Sequence, residues 1–492
     1  MKKIIIIGSG IGGLALAIRL QSRGFNVTVL EKNERVGGHA YPLEKAGYHF
    51  DMGPSLITAP DILQDLFACQ KRNLFEEVEM VKLDPFYRIF YHDKTFLDYS
   101  DDREKMKSQL RAFYPGDADQ YDRFLKDSEK IYNVVIAQGM GKQPFMTIPS
   151  MLEFFPKAIQ LNALRSTYGF AKKYFRDERS RFAFSFHPLF IGGNPFRAPA
   201  VYEMIPYLEK EGGVWYSKGG MYSLIEALER LFIDAGGGIH TSEPAEKIVV
   251  QNGKAIGVQT KNGFYKSDAV VSNADFIHSY RDLIEAKQRK KWSNRRLNRL
   301  HYSMSAFILY LGVKKKFPQL LHHTLVLSSR YQELITDIFD RHVLPDDFSM
   351  YLHMPSKTDP SMAPAGCSSL YVLVPVTHLK AGVDWTQQAK PYADRILRYL
   401  EHDFGLQGLQ ENLEVKEIFT PLDFAGKNNS TYGSAWGVEP RLTQTAYLRP
   451  HNKSEDIDNF YLVGASTHPG AGLPGCLLTA ETTESVMVKD LA

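Results

Sequence analysis

The sequence of 492 residues predicts an α/β fold in which a Rossmann-like dinucleotide-binding domain is discontinuous along the chain. Two glycine-rich loops support this prediction, because each follows a short apolar segment and precedes a helical pattern. One loop lies at the start of the chain and the other lies near its end. The stretches between them mix strand-like and helical patterns, which predict an interleaved α+β domain with a helical subdomain.

The first loop belongs to a complete unit of strand, turn, helix and strand. Residues Lys2–Ile7 include four consecutive isoleucines, which predict a buried parallel strand. Residues 8–13 read Gly-Ser-Gly-Ile-Gly-Gly and match the pattern G-x-G-x-x-G. A helical pattern then ends near Gly24, a second strand is predicted over 26–30, and Glu31 stands 18 residues beyond the last glycine of the loop.

Each part of this unit suits the binding of a dinucleotide. Gly8 permits the tight turn after the strand, and Gly10 lets a pyrophosphate approach backbone N–H groups. Gly13 allows the helix to pack closely on the strand, and the helix N-terminus carries partial positive charge. Glu31 can accept hydrogen bonds from ribose hydroxyls. The alternative is a glycine-rich turn without a ligand, which the completeness of the unit disfavours.

A second unit of this kind lies near the end of the chain. A strand is predicted over Asn459–Val463, a glycine-rich loop over Gly464–Gly475 and a helix over Leu477–Val488. Two distant phosphate-type loops indicate one domain built from both ends of the chain, as a long dinucleotide such as FAD would require. Taken alone, the second loop could also be a tight structural turn of small residues.

Seven segments carry a resemblance to a known family: residues 8–13, 50–55, 184–187, 192–196, 213–221, 272–275 and 461–475. Through them the chain resembles, over nearly its whole length, the bacterial and fungal phytoene desaturases. These are FAD-dependent carotenoid desaturases of the amine-oxidase flavoprotein superfamily. Such flavoproteins usually have Gly-Gly-Arg after the second strand, where this chain has Gly37-Gly38-His39. A neutral imidazole offers one N–H where arginine offers a permanent bidentate phosphate contact.

The resemblance implies that FAD is the cofactor and suggests which residues bind it. In the superfamily the segment near Ala245 passes the adenine and often has valine there, so Ala245 would pack less tightly. The implied cofactor-binding residues are Gly8, Ser9, Gly10, Gly12, Gly13, Glu31, Lys32, Gly38, His39, Pro54, Ala245, Gly464, Ala465, Gly472, Leu473 and Pro474.

The resemblance also implies an activity, which is the desaturation of phytoene in successive steps to lycopene during carotenoid biosynthesis. In each step the flavin accepts a hydride from a carbon beside the polyene, and oxygen or a quinone then reoxidises the flavin. Within the family the alternatives are a desaturase of 4,4'-diapophytoene, another carotenoid desaturase, a carotenoid isomerase and a carotenoid end-group oxidase. Outside it they are a flavin amine oxidase and a flavin-free interaction module.

An aromatic-rich composition suits a cavity for a long carotenoid substrate. The chain has 30 Phe, 26 Tyr and 4 Trp, although such residues also fill ordinary cores. The candidate tunnel residues are Phe184, Phe186, His187, Phe190 and Phe196. A histidine in such a position is more often a hydrogen-bonded core residue than a catalyst, and we expect the same of His187. No catalytic base is assigned from the sequence, and the acidic candidate Asp51 has an equally good structural interpretation.

The predicted FAD-binding domain comprises residues 1–80, 213–285 and 440–492, and the α+β substrate domain comprises 81–140 and 286–439. Residues 141–212 are predicted to form a helical, membrane-facing subdomain or lid. Between Lys142 and Arg176 many apolar and aromatic residues alternate with basic ones, which is typical of helices at a bilayer interface. A helix packed on the core with a solvated basic face is the alternative. We therefore expect a cytoplasmic protein that associates peripherally with the membrane.

Several other classes of protein are disfavoured by composition and spacing. A formal net charge of +3 argues against general binding of nucleic acid. The chain has no apolar run of about 18 residues, so no transmembrane helix is predicted. Cys69, Cys367 and Cys476 form no C-x-x-C pair, which disfavours a disulfide framework. His322-His323 lacks companion ligands at metal spacing in the sequence, so no metal site is expected.

Overall fold

The computed structural model describes residues 1–491 and the side chains of all of these except Phe154; Ala492, the end of the predicted segment 440–492, lies outside the described residues. Within this part of the chain the strands are β1 (Lys3–Ile7), β2 (Asn26–Leu30), β3 (Pro42–Lys45), β4 (Tyr48–Asp51), β5 (Met80–Lys82), β6 (Tyr87–Phe90), β7 (Phe96–Tyr99), β8 (Trp215–Ser217), β9 (Gly238–His240), β10 (Ala245–Gln251), β11 (Lys254–Thr260), β12 (Gly263–Lys266), β13 (Ala269–Ser272), β14 (Ser305–Val313), β15 (His323–Val326), β16 (Met350–His353), β17 (Ser368–Val376), β18 (Leu413–Phe419) and β19 (Phe460–Leu462).

The α-helices of the described residues are α1 (Ile11–Ser22), α2 (Pro60–Ala68), α3 (Leu74–Glu77), α4 (Arg103–Phe113), α5 (Pro115–Tyr132), α6 (Ile148–Gln160), α7 (Thr167–Ala171), α8 (Glu178–Ala183), α9 (Ile205–Gly212), α10 (Met221–Asp234), α11 (Phe276–Arg281), α12 (Asn294–Leu297), α13 (Tyr331–Thr336), α14 (Trp385–Arg398), α15 (Pro421–Asn428) and α16 (Leu473–Leu491). None of these helices is both long enough and apolar enough to cross a bilayer.

A parallel sheet joins three distant parts of the chain. Its strand order is β19-β13-β1-β2-β9, and every neighbouring pair is parallel. The isoleucines of β1 explain the position of this strand at the centre, because its two faces are both covered. Ile4 and Ile6 pack in one apolar cluster with α1, α10 and α16, and Ile5 and Ile7 pack in another cluster on the opposite face. An uninterrupted apolar run is what such a strand requires.

The second large sheet is mostly antiparallel. Its order is β18-β14-β17-β16-β15-β6-β7, and among these pairs only β15 and β6 run parallel. All nine residues of β14 are buried, because β17 and β18 flank the strand and other elements cover both faces. This mixed sheet accounts for the strand-like patterns between the two glycine-rich loops.

Two local details show how side-chain chemistry shapes the elements. Asn252 and Gly253 both have positive φ and close the antiparallel hairpin of β10 and β11, as this dipeptide predicts. The last helix begins at Leu473, four residues before the predicted start at Leu477. Pro474 lies in its first turn, where a missing N–H costs nothing, so the helix starts inside the glycine-rich loop.

Candidate functional site

A cavity of about 460 Å³ lies between the two large sheets. One side is formed by the loops that follow β1, β2, β13 and β19, at the carboxyl ends of the parallel strands, where open α/β sheets bind ligands. The opposite side is formed by β14, β16 and β17. Those strands contribute Ala306, Ile308, Tyr351, Tyr371 and Leu373 to the wall.

Two loops of the polar side converge on Asn273, just after β13, and a third loop packs on the first. A Cβ atom built on Gly10 would lie 2.7 Å from Oδ1 of Asn273, and one built on Gly464 would lie 2.5 Å from its Nδ2. A Cβ on Gly38 would lie 3.0 Å from Cα of Gly10. Nδ2 of Asn273 donates to the carbonyl of Val463 at 3.2 Å, which ties the segment after β13 to the loop after β19. The cradle therefore offers backbone rather than side chains to a ligand, which fits a pyrophosphate.

Two further glycines shape the first loop from behind. Gly8 has φ of +92°, a conformation that side-chain-bearing residues rarely adopt. A Cβ on Gly13 would lie 2.3 Å from the carbonyl oxygen of Gly8, so α1 packs against the end of β1 without space for a methyl group. Gly13 and Ser9 lie behind the cavity wall, whereas every other predicted cofactor-binding residue is part of that wall.

Glu31 connects the first loop to the second strand. Its Oε2 accepts from the backbone N–H of Ser9 at 2.9 Å and from its hydroxyl at 2.5 Å. Its Oε1 accepts from the N–H of Asn33 at 2.8 Å. The carboxylate also faces the cavity, so the residue predicted to hold a ribose fixes the loop as well. Ser9 thus acts through Glu31 rather than on a ligand directly.

Lys32 and His39 lie on the same side of the cavity. Nζ of Lys32 donates to the carbonyl of Gly426 at 3.0 Å and to Oδ1 of Asn429 at 2.8 Å. Burial lowers the pKa of Lys32. Desolvation lowers the pKa of His39 to about 4, so its imidazole is neutral near pH 7. A neutral ring has one N–H to offer a phosphate, in place of the family's arginine.

The second loop is held by a buried arginine that the sequence did not single out. The guanidinium of Arg449 donates to the carbonyls of Ala465 at 2.7 Å, Val438 at 3.1 Å and Thr467 at 3.2 Å. The contacts to Ala465 and Thr467 fix the course of the loop before α16 begins, and the contact to Val438 anchors the guanidinium outside the loop. Arg449 lies in a stretch without local periodicity, so only the fold reveals this function.

The five candidate tunnel residues occupy different positions. Phe190 forms part of the cavity wall. Phe186 lies behind it with ring centroids 5.2 Å apart, and Phe184 stacks on Phe175 in the core at 4.6 Å. Phe196 packs on Tyr168 at 4.8 Å. The structure thus brings one of the predicted phenylalanines to the wall and places the others in the layer that supports it.

His187 belongs to a buried polar group behind the wall. Its Nε2 lies 3.0 Å from the hydroxyl of Tyr87 and 3.3 Å from Oε2 of Glu209. The Tyr87 hydroxyl donates to the same Oε2 at 2.7 Å. Glu209 faces the cavity, and its Oε1 has no hydrogen-bond partner among the described residues. The sequence did not indicate Glu209, because a glutamate in a short amphipathic helix is typical of a solvated face.

Asp51 has a structural role in this arrangement. Its Oδ1 accepts from the backbone N–H of Met221 at 2.7 Å, at the start of α10. Burial raises the pKa of Asp51 to about 7. Because Asp51 is not part of the cavity wall, the structural interpretation is the better one.

A group of three histidines lies behind the apolar wall. His322 and His323 form a cluster with His353, because β15 pairs with β16 and places His323 opposite His353. Strand pairing therefore adds a third imidazole that the neighbouring sequence lacks. Desolvation lowers the pKa of all three imidazoles, to about 3 for His322.

Comparison with known proteins gives one consistent result. Residues 11–483 match the family described as flavin containing amine oxidoreductase. The chain is 42% identical over its full length to the full-length lycopene-forming phytoene desaturase of Pseudescherichia vulneris, and 41% identical over its full length to that of Pantoea ananas. The crystal structure of an oxidoreductase from Methanosarcina mazei aligns with 99% of this chain and 100% of its own chain, with a TM-score of 0.67 at 18% identity. The two proteins therefore share a fold.

Proposed function

The chain belongs to the flavin-containing amine oxidoreductase family and is an FAD-dependent oxidoreductase, and we propose that it desaturates phytoene to lycopene in carotenoid biosynthesis. The observation that carries this proposal is the composition of the cavity. Its polar side is the glycine cradle around Asn273, and its other side is an apolar wall. A surface suited to a dinucleotide and a surface suited to a hydrocarbon therefore face each other across one cavity.

The cofactor domain in this proposal is Rossmann-like and discontinuous. The parallel sheet draws its strands from the segments 1–80, 213–285 and 440–492, and the seven-stranded sheet draws its strands from 81–140 and 286–439. Bound FAD supplies the two-electron acceptor that no amino-acid side chain can provide.

The apolar wall orients the substrate and excludes water. Besides the five residues from β14, β16 and β17, it includes Met52, Leu56, Val135, Ile136, Phe190, Ile191, Met204, Ile205, Leu208, Phe424 and Trp436. Long alkyl and aromatic side chains of this kind bind a polyene through apolar contact area, without hydrogen bonds. A dry wall also protects a developing cation on the substrate from attack by water.

We assign the acceptance of the substrate proton to Glu209. Glu209 is a buried residue of a mostly apolar wall, and its Oε1 has no hydrogen-bond partner among the described residues although this atom is fully buried. Tyr87 and His187 hold the other oxygen, which fixes the direction of the carboxylate. A fixed carboxylate in apolar surroundings is suited to take a proton from the carbon beside a cation.

The proposed route for the substrate is through a membrane surface. On α6 the apolar residues Ile148, Leu152, Phe155 and Ile159 are each between 45% and 59% exposed, and they recur at helical spacing. Lys157 lies on the same helix, and the cavity wall includes Gly141, in the segment that leads to this helix. An exposed apolar stripe with basic neighbours fits insertion into the headgroup region of a bilayer. The protein would then be cytoplasmic and peripherally bound.

Product analysis tests the activity. The purified protein, loaded with FAD, is incubated with phytoene in liposomes under oxygen or with a quinone, and the products are separated by chromatography. Lycopene is the expected product, and the acceptor that sustains turnover identifies the oxidant. Unchanged phytoene together with conversion of 4,4'-diapophytoene would reassign the substrate, and peroxide formed from a polar amine would reassign the reaction.

A further inference from the structure

The histidine cluster behind the apolar wall has the geometry of a metal site. Nε2 of His322 lies 3.1 Å from Nε2 of His353. The ring centroids of the three histidines are 4.5, 4.9 and 5.1 Å apart, and one nitrogen from each ring lies within 4.8 Å of the others. Two ligands that each lie about 2.1 Å from a zinc ion are about 3.1–3.4 Å apart, so the observed separation suits a shared ion.

The outer nitrogens of two rings are already oriented by hydroxyl groups. Nδ1 of His322 lies 2.7 Å from Oγ1 of Thr358, and Nδ1 of His323 lies 2.7 Å from the hydroxyl of Tyr351. A metal-binding histidine commonly donates its second ring N–H to such a partner, which leaves the other nitrogen free for the ion. Both contacts therefore direct Nε2 toward the centre of the cluster.

Two buried nitrogens in the cluster have no other partner. Nε2 of His323 and Nδ1 of His353 lack a hydrogen bond within the described part of the chain, although both rings are completely buried. Buried polar atoms without partners destabilise a fold, so their presence calls for a ligand. Coordination of an ion by Nε2 of His323 would satisfy the first of these atoms.

A carboxylate close by can offset the charge of an ion. Asp359 is buried, and its Oδ2 lies 3.5 Å from the hydroxyl of Tyr216, whose ring packs on His322 at 4.5 Å. Three neutral imidazoles carry no charge, so a nearby anion lowers the cost of burying a dication.

We propose that His322, His323 and His353 bind one divalent transition-metal ion, for which Zn²⁺ fits three imidazole nitrogens best. None of the three residues is part of the cavity wall, so this ion takes no part in the flavin reaction. It fastens β15 to β16 and, through Tyr351 and its 2.7 Å hydrogen bond to Ser55, supports the wall of the cavity. The proposal does not depend on the identity of the substrate.

Metal content and cobalt spectroscopy test the site in the full-length protein. After treatment with a chelator, Co²⁺ is titrated while its visible absorption is recorded, and Zn²⁺ is then added as a competitor. We expect about one ion per chain for the wild type, with Zn²⁺ displacing Co²⁺, and a melting temperature that rises on binding. The variant H353Q should lose the cobalt spectrum. The variant H378Q changes a buried histidine that packs on His342 and Tyr432, outside the cluster; it is the matched control and should retain the cobalt spectrum.

A variant that leaves all three ligands in place covers the case in which H353Q fails to fold. T358V removes only the partner of Nδ1 of His322 and should weaken Co²⁺ binding about 10- to 100-fold. Flavin content and circular dichroism report folding of each variant separately. Wild-type protein that binds no Co²⁺ or Zn²⁺ above the level of H353Q overturns the proposal, as does unchanged affinity in T358V.

Discussion

The two sides of the cavity are built in different ways. The cofactor side consists of loops in which glycines bring backbone atoms together, so that a Cβ at Gly10 or Gly464 would collide with Asn273. The substrate side consists of side chains from strands and helices that are distant in sequence, such as Tyr351, Tyr371 and Glu209. A backbone cradle tolerates almost no substitution, whereas an apolar wall tolerates substitutions that preserve volume. Mutations on the two sides should therefore separate loss of bound FAD from loss of catalytic turnover.

The largest effect is expected on the cofactor side. In Gly13→Ala the new methyl group would lie 2.3 Å from the backbone oxygen of Gly8, which forces α1 away from β1. We expect loss of bound FAD and a fall in activity on the order of 100-fold or more. The ratio of flavin absorbance to protein absorbance measures the amount of bound FAD. Gly426→Ala is the control, because its Cβ meets nothing within 4 Å; equal flavin loss in both variants would contradict the interpretation.

On the substrate side, Glu209→Gln should reduce turnover without affecting the cofactor. The amide keeps the shape of the carboxylate but cannot accept the substrate proton at Oε1. We expect kcat to fall about 10²- to 10⁴-fold. FAD content should stay at the wild-type level, and rapid-mixing absorbance with phytoene liposomes should show slower loss of oxidised flavin. Glu211→Gln, an exposed neighbour, is the control; full activity in Glu209→Gln would remove this residue from the mechanism.

A smaller effect is expected at the proposed entrance to the substrate side. Replacing Leu152 and Ile159 by serine removes half of the exposed apolar stripe on α6. Each lost side chain should cost about 0.5–1 kcal/mol of interfacial binding, because only its exposed half would be newly buried in the bilayer. Liposome flotation should then show a several-fold smaller bound fraction, with unchanged FAD content. Ile233→Ser removes an equally exposed residue from α10, and a similar loss of binding there would argue against a specific face.

The smallest effect on function concerns the response to acid, which changes the stability of the fold rather than binding or turnover. Burial lowers the pKa of His378 to about 4, so the unfolded chain binds a proton between pH 6.5 and 4 that the folded chain does not. The contribution of His378 to the free energy of unfolding is therefore fully present above pH 6.5. It decreases as the pH falls toward 4, by an amount on the order of 3 kcal/mol. The melting temperature of H378Q should fall less over this range than that of the wild type. Parallel curves for the two proteins would contradict the assignment.

Much of the cofactor side was predictable because its signals are local. The strand, the glycines of 8–13 and Glu31 lie within one short stretch, and the structure forms that stretch into β1, α1 and β2. Most of the residues predicted to hold FAD are part of the cavity wall. Asn273 was harder to predict, since its importance depends on contacts with two glycine loops that are distant in sequence.

The substrate side was less predictable because aromatic residues serve a core and a cavity equally well. Of the five candidates only Phe190 reaches the wall, and nothing in the local pattern separates it from Phe184 or Phe186. The histidine group shows the same limit. His353 lies 30 residues beyond His323 in the sequence, and only the pairing of β15 with β16 brings the two together.

The sequence by itself determined the dinucleotide loops, the family and the cofactor, because turns, capping and backbone approach depend on neighbouring residues. Tertiary structure alone decided which face of each strand meets the cavity. It also placed Glu209 on the apolar wall and assembled three histidines behind it. Those outcomes depend on strand register and on the packing of elements far apart in the chain, and no local pattern of residues encodes either.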